Sequence, residues 1–348
     1  MLVGNKDYKT VWMENNIVKM INQPLLPHKF EIFESDNYKK TADAISTMVV
    51  RGAGALAIAG AYGMVQVFME EDTEEGINKG YEILKNTRPT AVNLFYAIDN
   101  VLHAGLKGKN KEERIKLALE KAEFLSEEDS KMASAIGDYG EALIKDGDKI
   151  LTHCNAGWLA FVDWGTAIAP IYKAKNNGKN IFVWVDETRP RMQGARLTAW
   201  ELAENNIPHK IIADSSAAFL MKNKEVDIII TGADRIAANG DTANKIGTFD
   251  RAILAQYFNI PFYIAAPTTT IDFNISDGSQ IPIEMRSDEE VLYTMGYNEE
   301  LKKVTKVRTA PLKSTGLNPA FDVTPADLIT GFITEKGVFK PNEIKGLK

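Results

Sequence analysis

Lys149-Ile150-Leu151-Thr152-His153-Cys154-Asn155-Ala156-Gly157 is a short apolar run that stops abruptly on small and polar residues. Outward from it the same pattern recurs. Ile181–Val185 is followed by Asp186-Glu187-Thr188-Arg189, with Gln193 and Gly194 a turn later. Lys210–Ile212 leads to Asp214, Asp227–Thr231 to Gly232-Ala233-Asp234-Arg235, and Phe262–Ala265 to Pro267-Thr268-Thr269-Thr270. Segments of helical character, about ten to twenty residues long, separate the runs, which is the alternation of βαβ units and of a parallel sheet covered on both faces. Ligands of such sheets bind outside the carboxyl ends of the strands, where these polar and small residues converge.

Before residue 148 the character differs. Short β-like pieces, Thr10-Val11-Trp12 and Phe30-Glu31-Ile32-Phe33, are interrupted by Pro24 and Pro27. Helical periodicity predicts a helix from about Tyr38 to Val50 and a small-residue helix from about Ala55 to Met69 containing Gly60 and Gly63. Thr87-Arg88-Pro89-Thr90 reads as a helix start, and the charged stretch from Lys111 to Asp146 as one or two helices. The expected fold class is therefore α/β. A mainly helical N-terminal domain with a small sheet (1–148) precedes a Rossmann-like C-terminal domain with a parallel sheet (149–348). Two domains also suit a chain of 348 residues.

Composition narrows the function. Apolar residues make up 45% and charged residues 25%, as in ordinary globular proteins. The formal net charge of −6 argues against nucleic acid as the main partner. With a single cysteine, Cys154, an intrachain disulfide is impossible. Met1 to Asp7 lacks the apolar core of a signal peptide, and no stretch reads as a membrane span, so the cytoplasm is expected and a membrane partner is not. The dinucleotide fingerprint GxGxxG is missing after the first strand, so a dinucleotide cofactor is not expected.

Several residues have both a structural and a chemical reading. Cys154 is either a small buried hydrophobe or a thiol at a cleft whose backbone donors favour the thiolate. Asp234 either pairs with Arg235 or caps a turn, or else sits in a closed apolar cleft as a general acid. Arg51-Gly52-Ala53-Gly54 and Arg88 lie beside helix starts, and Asn244-Lys245 precedes the helix marked by Ile246, Phe249, Ile253, Leu254 and Tyr257. Each is either a solvated charge or cap, or part of a phosphate grip.

These segments together resemble the methylthioribose-1-phosphate isomerase family. The matching text includes Val50-Arg51-Gly52-Ala53, Arg88-Pro89-Thr90-Ala91-Val92-Asn93-Leu94, Thr152–Gly157, Glu187-Thr188-Arg189-Pro190, Gln193–Leu202, Thr231–Thr248, Ala266-Pro267-Thr268 and Asn318–Pro325. The resemblance implies an aldose–ketose isomerase of methionine salvage, homodimeric and working without a metal or organic cofactor. It implies catalytic roles for Cys154 and Asp234, and phosphate or sugar contacts at Arg51, Gly52, Ala53, Arg88, Gln193, Asn244 and Lys245, with ligands from both domains providing a closing cleft. It leaves open relatives acting on 5-deoxyribose 1-phosphate or ribose 1,5-bisphosphate. It also leaves open the regulatory subunits of a translation initiation factor, which share the fold without the catalysis. Gly54, Trp158, Asp163-Trp164, Met285 and Leu312–Leu317 depart from the family's usual text. A bulky Trp158 would shorten a pocket for the 5-substituent if it points there, and otherwise packs as core.

Overall fold

The computed structural model describes residues 1–89 and 91–348. The chain divides into two compact units, Met1–Ser134 with Gly157–Gly165, and Ala135–Ala156 with Thr166–Lys348. The boundary expected near residue 148 differs from this division in two places. Helix α5, Lys111–Glu141, carries the chain from the first unit into the second, and the segment after Cys154 returns to the first.

In the first unit Val11–Glu14, Ile17–Ile21 and Ile32–Ser35 form an antiparallel sheet. Asn15 and Asn16 make its tight turn at φ 52° and 66°, the left-handed pair that a two-residue hairpin requires and that asparagine tolerates. Helix α1, Tyr38–Ser46, is capped by the Asn37 side chain, which accepts from the Lys40 N–H. It ends four residues before the expected Val50, because Met48 turns left-handed at φ 62°. Helix α2, Ala53–Glu70, packs against α1, against α3 (Glu74–Lys85) and against α4 (Val92–Gly105). It is apolar on nearly all sides, as a helix surrounded by others must be. At 18 residues it is long and apolar enough to cross a membrane, a stretch the sequence reading missed, but most of it is buried inside the protein. Helix α4 starts at Val92, so Arg88 and Pro89 precede it instead of forming its first turn. Thr90 lies outside the described residues.

The returning segment is tied down by buried polar groups. Thr10 Oγ1 donates to the Trp158 carbonyl and Gln23 Nε2 to the Leu159 carbonyl, each at 2.7 Å. The Thr10 N–H donates to the Val162 carbonyl at 3.0 Å, and the Val162 N–H to Asp129 Oδ2 at 2.7 Å. Trp158 is fully buried, so it is core and does not line an open pocket. Gly54 makes room for this arrangement, since a side chain there would run into the Asp129 carboxyl and the Phe161 ring. Truncating Trp158 to alanine should lower stability by about 3–5 kcal/mol, read from urea unfolding.

The second unit holds a seven-stranded sheet. Across the sheet the strands run His209–Ile212, Phe182–Asp186, Lys149–Thr152, Ile228–Thr231, Phe262–Ala265, Gly331–Thr334 and Gly337–Phe339. All neighbours pair in parallel except the last. In chain order the parallel strands lie 3-2-1-4-5-6, the doubly wound order of a Rossmann fold, as expected from the sequence. Lys149–Thr152 and Phe262–Ala265 have the expected limits, Phe182–Asp186 is shifted by one residue, and the other two expected strands start one residue earlier or later. The two strands after residue 330 were not foreseen. Nor was a smaller mixed sheet of Ile271–Asp272, Arg235–Ala237, Thr242–Lys245 and Phe321–Thr324. Its strands are only two to four residues long, too short for a periodic signal.

Asp129 gives the first unit a pH signature. Burial raises its carboxyl to about 7, only partly opposed by the Val162 N–H. Between the ordinary value of 3.8 and about 7 the folded chain keeps a proton that the unfolded chain releases. Stability must therefore fall as pH rises through that window and level off above it. Asp129→Asn keeps an acceptor for Val162 and removes the titration. Its stability relative to the wild type should grow across the window, as denaturation midpoints at a series of pH values would show.

Candidate functional site

The order reversal of a doubly wound sheet lies between its first and fourth strands, here Lys149–Thr152 and Ile228–Thr231. The two are hydrogen-bonded neighbours, pairing Ile150 with Ile228 and Leu151 with Ile229, and Thr152 Oγ1 donates to the Ile230 carbonyl at 2.9 Å. Cys154 follows one strand and Asp234 the other. The loops they sit on touch, since a Cβ on Gly232 would lie 2.7 Å from that of Ala156.

Cys154 is buried, and its backbone is left-handed at φ 68°. Its N–H donates to Thr188 Oγ1 at 2.8 Å, and its carbonyl accepts from Thr198 Oγ1 at 2.7 Å. Beneath it His153 spans the site, with Nδ1 2.8 Å from Asp186 Oδ2 and Nε2 2.9 Å from the Ile246 carbonyl. Arg251, on helix α9 (Thr248–Phe258), donates from Nε to Asp186 Oδ2 at 2.7 Å and from a terminal nitrogen to the Asp214 carbonyl at 2.6 Å. His153, Asp186 and Asp214 are close enough together to suggest a metal centre. The Arg251 guanidinium already supplies the cation there, 3.7 Å from Asp214 Oδ1 as well as bonded to Asp186. Burial, assisted by the nearby Asp214, raises the Glu187 carboxyl.

Asp234 is exposed, where the sequence reading allowed a closed apolar cleft. Its N–H donates to the Ala243 carbonyl at 2.9 Å, which fixes the backbone as the chain enters the small sheet. Arg235 lies 3.8 Å from Asp272. Asn244 and Lys245 end the strand Thr242–Lys245 just before α9. Asn244 Nδ2 donates to Thr248 Oγ1 at 2.9 Å, and Lys245 Nζ donates to the Ala320 carbonyl at 2.9 Å while lying over the Phe321 ring. The first turn of α9 is held by Asp322, which accepts from the Gly247 N–H at 2.6 Å and the Phe249 N–H at 3.2 Å. Burial raises the Asp322 carboxyl against those two bonds.

Gln193 is buried with its Oε1 lacking a hydrogen-bond partner, an acceptor that a substrate hydroxyl would satisfy. Gly194 beside it packs against the end of Phe182–Asp186, where a side chain would run into the Asp186 carbonyl. In the first unit Arg51 and Gly52 precede α2, with Gly52 at φ 91° and Ala53 opening the helix, and Arg88 precedes α4. Of the departures from the family text, Met285, Leu312 and Leu317 are exposed. Sequence reasoning did not single out Arg251, Thr188 or Thr198 for a role. A buried arginine on an otherwise apolar helix face is the one signal that would have pointed to Arg251.

The model of the family described as "Initiation factor 2 subunit family" matches residues 49–341. The chain belongs to the initiation factor 2 subunit family. Among curated relatives, a methylthioribose-1-phosphate isomerase of Acetivibrio thermocellus is 48% identical over 342 residues, covering 96% of this chain and 97% of the relative. One of Methylocella silvestris is 44% identical over 354 residues, covering 98% and 96%. Among solved structures, 5-methylthioribose 1-phosphate isomerase of Pyrococcus horikoshii superposes with a TM-score of 0.87 at 41% identity, covering 98% of this chain and 95% of that one. A structure named translation initiation factor eIF-2B, subunit delta, from A. fulgidus gives 0.85 at 42% identity, covering 97% of each chain.

Replacing Arg251 by methionine would leave Asp186 buried without its cation, a loss of about 3–5 kcal/mol. Urea unfolding should register that loss.

Proposed function

We propose that the protein is an aldose–ketose isomerase that converts 5-methylthioribose 1-phosphate into 5-methylthioribulose 1-phosphate. The observation that carries this reading is that Cys154 and Asp234 leave neighbouring strands at the switch point, in a chain 48% identical to a methylthioribose-1-phosphate isomerase over nearly its whole length. The phosphate on the anomeric oxygen prevents free ring opening, so the reaction needs an acid. Asp234 gives a proton to the ring oxygen as its bond to C1 breaks. The C2 hydrogen then moves to C1, and the C2 hydroxyl becomes a carbonyl as its proton returns to the Asp234 carboxylate. On one route Cys154 takes the C2 proton and returns it to C1 through an enol. On the other, hydride passes directly from C2 to C1, with Cys154 polarising or positioning. Both routes balance without an external oxidant or reductant, and both need water kept from the opened intermediate.

Arg51, Gly52, Ala53 and Arg88 are proposed as phosphate or sugar contacts in the first unit, and Gln193, Asn244 and Lys245 in the second. The orphaned Gln193 oxygen supports its assignment. We also infer a cytoplasmic homodimer, which light scattering would test for the dimer. A second reading, a non-catalytic assembly subunit, is favoured by the likeness to the A. fulgidus structure. The presence of Cys154 and Asp234 together with every proposed ligand favours the enzyme.

Purified protein in the presence of chelator should remove the anomeric proton signal of methylthioribose 1-phosphate. No turnover of it, of 5-deoxyribose 1-phosphate or of ribose 1,5-bisphosphate would leave the assembly reading. Cys154→Ser and Asp234→Asn should each lower kcat by on the order of 10²–10⁴, whereas Arg51→Ala and Arg88→Ala should chiefly raise KM. In deuterated water the enol route labels C1 of the product and the hydride route leaves it unlabelled.

A further inference from the structure

Two turns at the ends of adjacent strands adopt a backbone that side chains normally resist. Cys154 has φ 68°, and Thr188, 34 residues on and β-branched, has φ 60°. Both are buried, so their peptide groups need partners inside the protein. At Cys154 those partners are hydroxyls. Thr188 Oγ1 accepts from the Cys154 N–H and itself donates to the Asp186 carbonyl at 3.0 Å. Thr198 Oγ1 donates to the Cys154 carbonyl and accepts from Asn155 Nδ2 at 3.1 Å. Each hydroxyl thus has one donor and one acceptor direction in use.

Behind each threonine stands an anchor. Asp214 accepts from the Thr188 N–H at 2.8 Å and the Arg189 N–H at 2.7 Å, which fixes the left-handed turn at Thr188. Glu201 accepts from Asn155 Nδ2 at 2.9 Å and from the Tyr172 hydroxyl at 2.7 Å, which holds the amide that meets Thr198. A strand neighbour would bond the same peptide groups only in extended backbone. The two hydroxyls reach them in the left-handed conformation.

We infer that Thr188 and Thr198 are positioning residues for Cys154: their hydroxyls grip its N–H and carbonyl and hold the left-handed turn that sets where the thiol stands. The inference rests on the isomerase reading for its effect on turnover, but not for its effect on the thiol. Without the Thr188 hydroxyl the buried Cys154 N–H loses the acceptor it has here, and the turn is free to relax toward extended backbone. A misplacement of that kind costs rate more than binding.

The test uses Thr188→Val, which keeps the shape and removes the hydroxyl, and Thr188→Ser, which keeps the hydroxyl. Thr198→Val is the second variant should Thr188→Val fail to fold. Because Cys154 is the only cysteine, alkylation by iodoacetamide followed by mass spectrometry reads that thiol alone. The valine variants should alter the alkylation rate several-fold and lower kcat about tenfold or more at little change in KM, and Thr188→Ser should restore both. A folded valine variant with wild-type alkylation and wild-type kcat overturns the inference. So does a serine variant as impaired as the valine one. If Cys154→Ser keeps full turnover, the catalytic role of the thiol fails, while the alkylation result still decides the positioning on its own.

Discussion

Strand Lys149–Thr152 is hydrogen-bonded on both sides, to Phe182–Asp186 and to Ile228–Thr231, and the candidate site is placed by that fact. A strand so enclosed has little freedom of register, because a slip would break the hydrogen-bond ladders on both of its edges at once. Its end is therefore a fixed point. The left-handed backbone at Cys154 is how the chain leaves. Cys154, the proposed catalytic thiol, thus sits on a turn whose N–H and carbonyl are both hydrogen-bonded.

Around that turn the buried charges are arranged so that few are alone. Asp186 meets both His153 and Arg251, and Arg251 also reaches Asp214, whose carboxylate holds two backbone N–H groups of the next loop. A buried cation bonded in this way gives specificity of geometry more than net stability, because desolvation offsets much of the attraction. It fixes the loop Glu187–Gln193 relative to α9, the helix that comes after Asn244 and Lys245. Asp322 belongs to the same design. Its carboxylate accepts from the Gly247 and Phe249 N–H groups at the first turn of α9, so those two donors are already engaged.

The first unit obeys a different logic. There the apolar helix α2 is surrounded by its neighbours, and the segment after Cys154 is held by Thr10, Gln23 and Asp129. Trp158 belongs to that core. A bulky residue soon after the proposed catalytic thiol invited a role in substrate choice. Burial assigns it to stability, and the departures at Gly54 and Trp158 become parts of one packing arrangement.

The sequence by itself determined the doubly wound sheet, the strands Lys149–Thr152 and Phe262–Ala265, and the position of Cys154 and Asp234 at strand ends. Those features are carried by local runs and periodicities, which persist whatever the rest of the chain does. It also placed Arg51 and Gly52 before α2, because a helix start is written in a few consecutive residues. It did not reveal the small mixed sheet, whose strands are too short to show alternation, nor the return of Gly157–Gly165 to the first unit. Nor did it reveal the hydroxyl grip on Cys154. Thr188 and Thr198 stand 34 and 44 residues away, and a threonine carries no sign of which distant peptide it will bond. Only the tertiary structure decided that, because a hydrogen bond is set by direction and distance in space, and sequence separation constrains neither.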